Sequence, residues 1–433
     1  MAEVLFIEGG RVIDPASGTD GVRTVVVRDG KIAEVAERLE RPRDARVFDA
    51  RGKWVTPGFI DLHVHLREPG QEYKETVATG ARAAVAGGFT AVCAMPNTKP
   101  VNDNASVTEL VLARAAAAGL ARVYPVGAIS KGSNGEELAE FGELLAAGCV
   151  ALSDDGRPVL SSALMRRALE YAKAFGLPLT VHEEDLQLVG KGVMHEGAAS
   201  TRLGLKGIPG AAEDVMVLRD IALAELTGGR LHIAHVSSQG AVRAVRAAKA
   251  RGLAVTAEVT PHHLALTDED VAASGYSTDY KMNPPLRSAE DVRACREGLA
   301  DGTIDAIATD HAPHSAVEKD VEFDAALNGI TGLETAFPVC LSLVRAGALP
   351  ERRLVEALTI GPARAFGLAG GALAGGAPAD VAVLDPVAEW TVDPARMYSK
   401  SRNTPWKGSR LTGRCVMTIV GGRIVHEEGR TER

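Results

Sequence analysis

Residues 59–67 read FIDLHVHLR, and the folding of this run decides how the rest of the chain is read. Successive side chains of a strand point to opposite faces, so alternation puts Asp61, His63, His65 and Arg67 on one face and Leu62, Val64 and Leu66 on the other. The apolar face is expected to pack outward, leaving the polar face in need of a partner. Two neutral imidazoles two residues apart can reach one metal ion. His-x-His is also met as a plain pair on a half-exposed strand, so its meaning depends on what the chain places beside it.

Seven further apolar runs follow this one: TAVCAMP (90–96), RVYPVGAI (122–129), VALSDD (150–155), LPLTVHE (177–183), LHIAHVS (231–237), AVTAEVT (254–260) and AIATDH (306–311). Alanine-rich helical stretches lie between them, such as KETVATGARAAVAGG (74–88), LMRRALEYAKAFG (164–176) and AVRAVRAAKARG (241–252). Strand then helix, eight times, is the pattern of an α/β fold of the (βα)8 TIM-like barrel type, here over residues 58–371. A doubly wound open sheet would place a glycine-rich phosphate turn after its first strand, and none is present. The flanks have another texture. VLFIEGGRVI (4–13), TVVVRDGKIAEV (24–35) and CVMTIVGGRIVHEEG (415–429) are β-branched runs broken by turn dipeptides. Gly9-Gly10 and Asp29-Gly30 read as hairpin turns. Residues 1–57 and 372–433 are therefore expected to form one small β-sandwich domain, built from both termini and interrupted by the barrel.

Composition narrows the function classes. With 46% apolar residues among 433, a large core is available. The 48 Lys and Arg against 56 Asp and Glu give a net charge of −8, no footprint for nucleic acid or an anionic membrane. No apolar run reaches membrane-spanning length, and the first residues lack a signal-peptide pattern. Cys93, Cys149, Cys295, Cys340 and Cys415 are scattered and odd in number, which argues against a disulfide framework and for a reducing, cytoplasmic setting.

In a βα barrel the reaction site lies at the carboxyl ends of the strands, and there the polar residues collect. The first strand ends in His63, His65 and Arg67, the second in Asn97, and the fourth in Asp154 and Asp155. The fifth ends in His182, the sixth in His235, and the eighth in Asp310 and His314. His232 and His235 are three apart, so only one faces the barrel axis, and His235 is nearer the mouth. His262 and His263 are expected to support the site or the fold rather than ligate. His195 and His426 are read as solvated, and the cysteines as core. A carboxylate can bridge two metal ions, so one of Asp154 and Asp155 should bridge and the other cap a turn; the spacing leaves that choice open.

Ten motifs run the whole chain: GFIDLHVHLREPG, AMPNT, SDDG, HEED, HVSS, TPHHL, KMNPPLR, ATDHAPH, GITGLE and NTPWKG. As a set they resemble the cyclic amidohydrolases and, within them, the class I dihydroorotases. The resemblance implies one or two zinc ions per chain, with His63, His65 and Asp310 on one metal, His182 and His235 on a second, and Asp155 as the bridge. Many relatives use a carboxylated lysine as bridge; strand four has no lysine, and Lys131 reads as a surface turn residue. The same resemblance implies substrate contacts at Arg67, Asn97, Asn283 and His314, with backbone groups near Asn328 and Gly329. The activity implied is reversible interconversion of N-carbamoyl-L-aspartate and dihydroorotate, with Asp310 as general base and acid. Hydantoinase, dihydropyrimidinase and allantoinase are the enzyme rivals; SDDG and the Arg67/Asn97 pair argue against them. A non-catalytic partner of aspartate transcarbamoylase is the other rival, and six filled ligand positions argue against it. A homo-oligomer, and association with that transcarbamoylase, are within the family's range.

Overall fold

The computed structural model describes residues 4–42 and 45–428. Eight strands form one sheet in chain order: Phe59–Val64, Phe89–Ala94, Arg122–Gly127, Ala151–Leu152, Leu179–Val181, Leu231–Ile233, Val255–Val259 and Ala306–Ile307. Every neighbouring pair is parallel. The ring closes where Val64 pairs in parallel with His311, and His65 N donates to His311 O at 2.9 Å. The barrel read from the sequence is thus the barrel observed. Five of its helices start where a side chain takes up a free N–H of the first turn: Thr76, Asn104, Ser161, Ser238 and Ser288 each do so. Their buried faces carry small residues, among them Ala81, Ala84, Ala168, Ala172, Ala241 and Ala248, which let helix and sheet approach closely.

The first strand departs from strict alternation. Its register against the second strand shifts between Asp61 and Val64, and Leu62 packs with Ile60, Cys93 and Ala306, apart from Val64 and Leu66, which join the helix-facing core. Asp61 turns sideways, where its Oδ1 accepts from His63 N (3.1 Å) and Thr309 N (3.0 Å), stitching the first strand to the residues that follow the eighth. The strand ends at Val64, so His65 and Arg67 sit on the loop beyond it.

The terminal strands form a second, mixed sheet of eight. Trp54–Pro57 pairs antiparallel with the start of Val381–Thr391, Trp54 opposite Leu384 and Pro57 opposite Val381. The two ends of the chain thus share one sheet, as expected. Asp29-Gly30 and Gly421-Gly422 are turns, but Gly9-Gly10 is not: it lies inside the strand Val4–Asp14 at a register shift. The reason is space. A Cβ on Gly10 would stand 2.6 Å from Val55 Cγ2, and Gly9 has φ +75°, so the pair makes a bulge where another strand crosses closely. One side of this sheet encloses Ile7, Val12, Val25, Ile32, Val55, Val383 and Met417. From the other side Ile13, Trp54, Leu384 and Cys415 enter the barrel's helix layer, with Trp54 edge-on to Phe337 at 6.0 Å. Among the described residues no helix is long and apolar enough to cross a membrane.

Candidate active site

Four imidazoles and two carboxylates converge at the carboxyl rim. His63 Nε2 lies 3.2 Å from Asp155 Oδ1 and 3.5 Å from Asp310 Oδ1; His65 Nε2 lies 3.0 Å from Asp310 Oδ1 and 3.5 Å from Asp155 Oδ2. His235 Nε2 and His182 Nδ1 stand 3.7 and 3.9 Å from Asp155 Oδ1, and 2.9 Å from one another. Two groups have the compactness a metal ion needs: His63, His65 and Asp310, and His63, Asp155 and His235. The first is the expected triad. The second contains the expected bridge and one expected ligand, with His182 at its edge.

The far side of each ring decides what the near side offers. His63 Nδ1 donates to Glu258 Oε1 (2.8 Å), and His65 Nδ1 donates to Asn97 Oδ1 (2.9 Å). His182 Nε2 faces Glu184 Oε2 at 3.4 Å. With those protons fixed outward, His63 and His65 present lone pairs to two carboxylates that have no proton to give, while His182 Nε2 also has the Asn283 amide nitrogen at 3.3 Å. His63 Nε2 and Asp155 Oδ1 are buried without any hydrogen-bond partner. A cation satisfies such a donor set, and nitrogen and oxygen ligands in this number suit one or two divalent ions. The electrostatics agree. Burial alone would raise Asp155 and Asp310, but the imidazoles around them outweigh it and hold both well below the usual carboxylate range. Burial would lower His63, yet Asp155 and Asp310 raise it well above its ordinary value; the centre of the cluster calls for positive charge.

Asp154 is turned away, accepting from Ser130 N at 2.9 Å and from the Ser130 hydroxyl, so of the two aspartates it is the one that holds a turn. Lys131 is exposed and paired with Glu137 at 2.5 Å, outside the cluster. His232 is fully buried between Thr256 and Glu258. His263 donates from Nε2 to Pro284 O (2.9 Å), bracing the residue after Asn283. His195 and His426, read as solvated, are half-buried instead; His426 packs against Tyr398 and burial pushes it down to about 4.

Above the cluster is a cavity of about 240 Å³. His65, Asp155, His182, His235 and Asp310 line its floor, and Arg67, Asn97, Asn283 and His314 its walls; His63 lies beneath. All ten predicted site residues are therefore brought together. Arg67 is 7% exposed. Its Nε donates to Pro313 O at 3.2 Å, its terminal nitrogen lies 3.4 Å from His314 Nε2, and no carboxylate is within ion-pair distance among the described residues. Burial pulls it down to about 10, still charged at neutral pH. Burial, with Arg67 and Lys74 next, pulls His314 down to about 3, so it is neutral. Of six non-glycine residues with positive φ among the described ones, three are Arg67 (61°), His235 (34°) and Asp310 (45°). Backbone strain of this kind gathers where side chains must be aimed.

The sequence reading missed Glu258 and Glu184. A lone acid within the apolar strand Val255–Val259 was the available signal for the first; HEED offered three acids without a way to choose.

A parallel barrel with this histidine–aspartate cluster at its carboxyl rim defines a metal-dependent hydrolase of the amidohydrolase class. Residues 52–241 match the family model described as Dihydro-orotase-like. The chain is 86% identical over 433 residues to a dihydroorotase of Anaeromyxobacter sp. (strain K), covering all of both chains. It is 58% identical over 423 residues to that of Geotalea daltonii, covering 98% of this chain and 99% of the relative. It superposes on L-hydantoinase (dihydropyrimidinase) from Arthrobacter aurescens with a TM-score of 0.88 at 26% identity, over 100% of this chain and 97% of the other. The chain belongs to the dihydroorotase family.

Proposed function

We propose that the protein catalyses the reversible interconversion of N-carbamoyl-L-aspartate and (S)-dihydroorotate, the ring-forming step of pyrimidine synthesis. One observation carries the choice of substrate: Arg67, a buried guanidinium without a carboxylate partner among the described residues, stands on the wall of the cavity whose floor is the histidine–aspartate cluster. Its planar fork of donors fits a carboxylate, the group that separates dihydroorotate from uncharged rings.

In this reading His63, His65 and Asp310 would hold one ion and His182 and His235 a second, with Asp155 as a shared ligand. Zinc, one or two ions per chain, is the metal we propose, because it suits imidazole with carboxylate. Ions held there would make water acidic enough to attack at neutral pH and would polarise the ring carbonyl. The remaining work falls to the chain. Arg67 orients the ring through its carboxylate, with Asn97 and His314 beside it, the Asn328–Gly329 backbone against His314, and Asn283 completing the lining. Asp310, kept ionised by its imidazole neighbours, accepts the proton of the attacking water on a carboxylate oxygen and passes it to the departing ring nitrogen. In the closing direction the same oxygen removes the proton from the carbamoyl nitrogen as that nitrogen bonds to the side-chain carboxyl carbon, and returns it to the carboxyl oxygen that leaves as water.

The superposition on an enzyme named as a hydantoinase makes hydrolysis of uncharged rings the second reading. Arg67 argues against it, since such a ring leaves the guanidinium buried and unpaired. We place the protein in the cytoplasm as a homo-oligomer; sizing it alone and mixed with aspartate transcarbamoylase tests assembly. The decisive assay is turnover of dihydroorotate and carbamoyl-aspartate by purified protein with its metal content measured. Activity lost on chelation and restored by zinc is expected; metal-loaded protein inert on both compounds would refute the proposal.

A further inference from the structure

Asn403 comes from the far end of the chain and lies at the barrel mouth. It belongs to residues 398–406, which run between the short turn Pro394–Arg396 and the strand Arg410–Val420. Two glutamates moor this segment. Glu334 accepts from the N–H groups of Tyr398 (3.0 Å) and Ser399 (3.1 Å), and Glu75 accepts from Ser399 Oγ (2.5 Å) and Lys400 N (3.1 Å). Beyond these moorings the Asn403 side chain, 2% exposed, reaches two loops at once. Its Oδ1 accepts from His314 N (3.0 Å), and its Nδ2 donates to Ala312 O (3.0 Å) and Gly329 O (2.9 Å). Its own carbonyl accepts from Thr331 N at 2.9 Å.

Both ends of the amide are thus engaged, and every one of these bonds ends on 312–314 or 329–331. Those segments carry His314 and adjoin Asn328, whose carbonyl accepts from His314 Nε2 at 2.8 Å. Asn403 itself does not line the substrate cavity. A staple of the framework would bond to strands and helices; this one bonds to the cavity wall.

We propose that Asn403 is a positioning residue, which holds His314 and the Asn328–Gly329 backbone at one separation and so sets how tightly the acidic ring is bound. The proposal rests on the substrate reading above, in which His314 and Arg67 flank the ring's carboxylate. An asparagine fits because it offers an acceptor and two donors in one plane. Aspartate would keep the acceptor for His314 N–H but turn an oxygen toward two carbonyls. Alanine would leave an N–H and two carbonyls buried without these partners.

Asn403→Asp and Asn403→Ala, purified as metal-loaded full chains, are compared with wild type in dihydroorotate kinetics, metal content and amide hydrogen exchange. The expected result in both is a KM raised about tenfold or more with kcat within about threefold and metal content unchanged. Asn403→Ala should also speed exchange at the His314 amide while the first, fifth and sixth barrel strands stay protected. Should Asn403→Ala fail to fold, the kinetics of Asn403→Asp decide. Wild-type KM in the variants, or kcat and metal content falling together as for a general loss of fold, would overturn the proposal. A wild type inert on dihydroorotate would refute the substrate reading alone; exchange at His314 would still decide the positioning role, and unchanged exchange would overturn it.

Discussion

Glu258 illustrates how the reactive surface of one residue is set from behind by another. It is fully buried in the seventh strand, takes His63 Nδ1–H on one oxygen and lies 3.2 Å from His232 Nε2 with the other. Burial alone would raise it, but His232 and His63 hold it low, at about 2. Glu258→Gln should therefore keep the shape and lose the charge that makes His63 a strong ligand, weakening metal affinity about 10–100-fold. Competition with a chelator measures this, and wild-type affinity would contradict it. Asp310→Asn separates proton transfer from folding: kcat should fall by about 10²–10⁴ in protein that remains folded, and full turnover with metal bound would exclude the role. Most of the clustered side chains were legible because residues of metal-binding type stood at the ends of apolar runs. Glu258 and Glu184 were not, because their importance lies in which ring nitrogen they face, and that depends on contacts 195 and 2 residues away in sequence.

At the level of elements, the loops that follow the strands aim the side chains while the strands supply a rigid base. Lys319 shows what that requires. It is 7% exposed, with Nζ donating to Leu327 O (2.9 Å) and Gly329 O (3.2 Å), and it braces the loop that ends at the cavity. Burial pulls it down to about 8; Asp279 partly opposes this, and Lys281 and Lys407 add to it. In the unfolded chain a lysine titrates near 10.4. Between about pH 8 and 10.4 the unfolded chain holds the extra proton, so this group's contribution to stability rises with pH; below pH 8 the buried charge costs up to about 3 kcal/mol. Unfolding midpoints from pH 7.5 to 10 should climb for wild type relative to Lys319→Met, whereas parallel curves would contradict the assignment. Element order and type were readable from periodicity, since eight apolar runs each precede a helix. Local irregularities were not: the register shift at Asp61 answers to Thr309 N just past the eighth strand, and the bulge at Gly9-Gly10 answers to Val55. Both are set by partners remote in sequence.

On the scale of the whole molecule, the terminal sheet contributes to the barrel's packing and to its mouth. Trp54, Leu384 and Cys415 complete the helix-layer core, and the segment that carries Asn403 leaves the sheet to reach the cavity wall. We propose that residues 1–57 and 372–433 are one unit serving residues 58–371. The barrel stretch expressed alone should be insoluble or unfolded, and a folded, active fragment would refute that. Charge and the absence of membrane-length runs were readable from composition, but the use of the chain's end at the active site was not, because nothing in NTPWKG reveals which loops it meets. The central claim is that this cavity is built for a ring bearing a carboxylate. It is tested most directly by kcat/KM for dihydroorotate and dihydrouracil, measured side by side in wild type and Arg67→Ala. A site with buried donors left unpaired rejects the analogue by about 10⁴–10⁵. The account predicts a wild-type preference for dihydroorotate of that order and a much smaller one in the variant, whose loss falls on dihydroorotate; comparable rates on both rings in the wild type would contradict it.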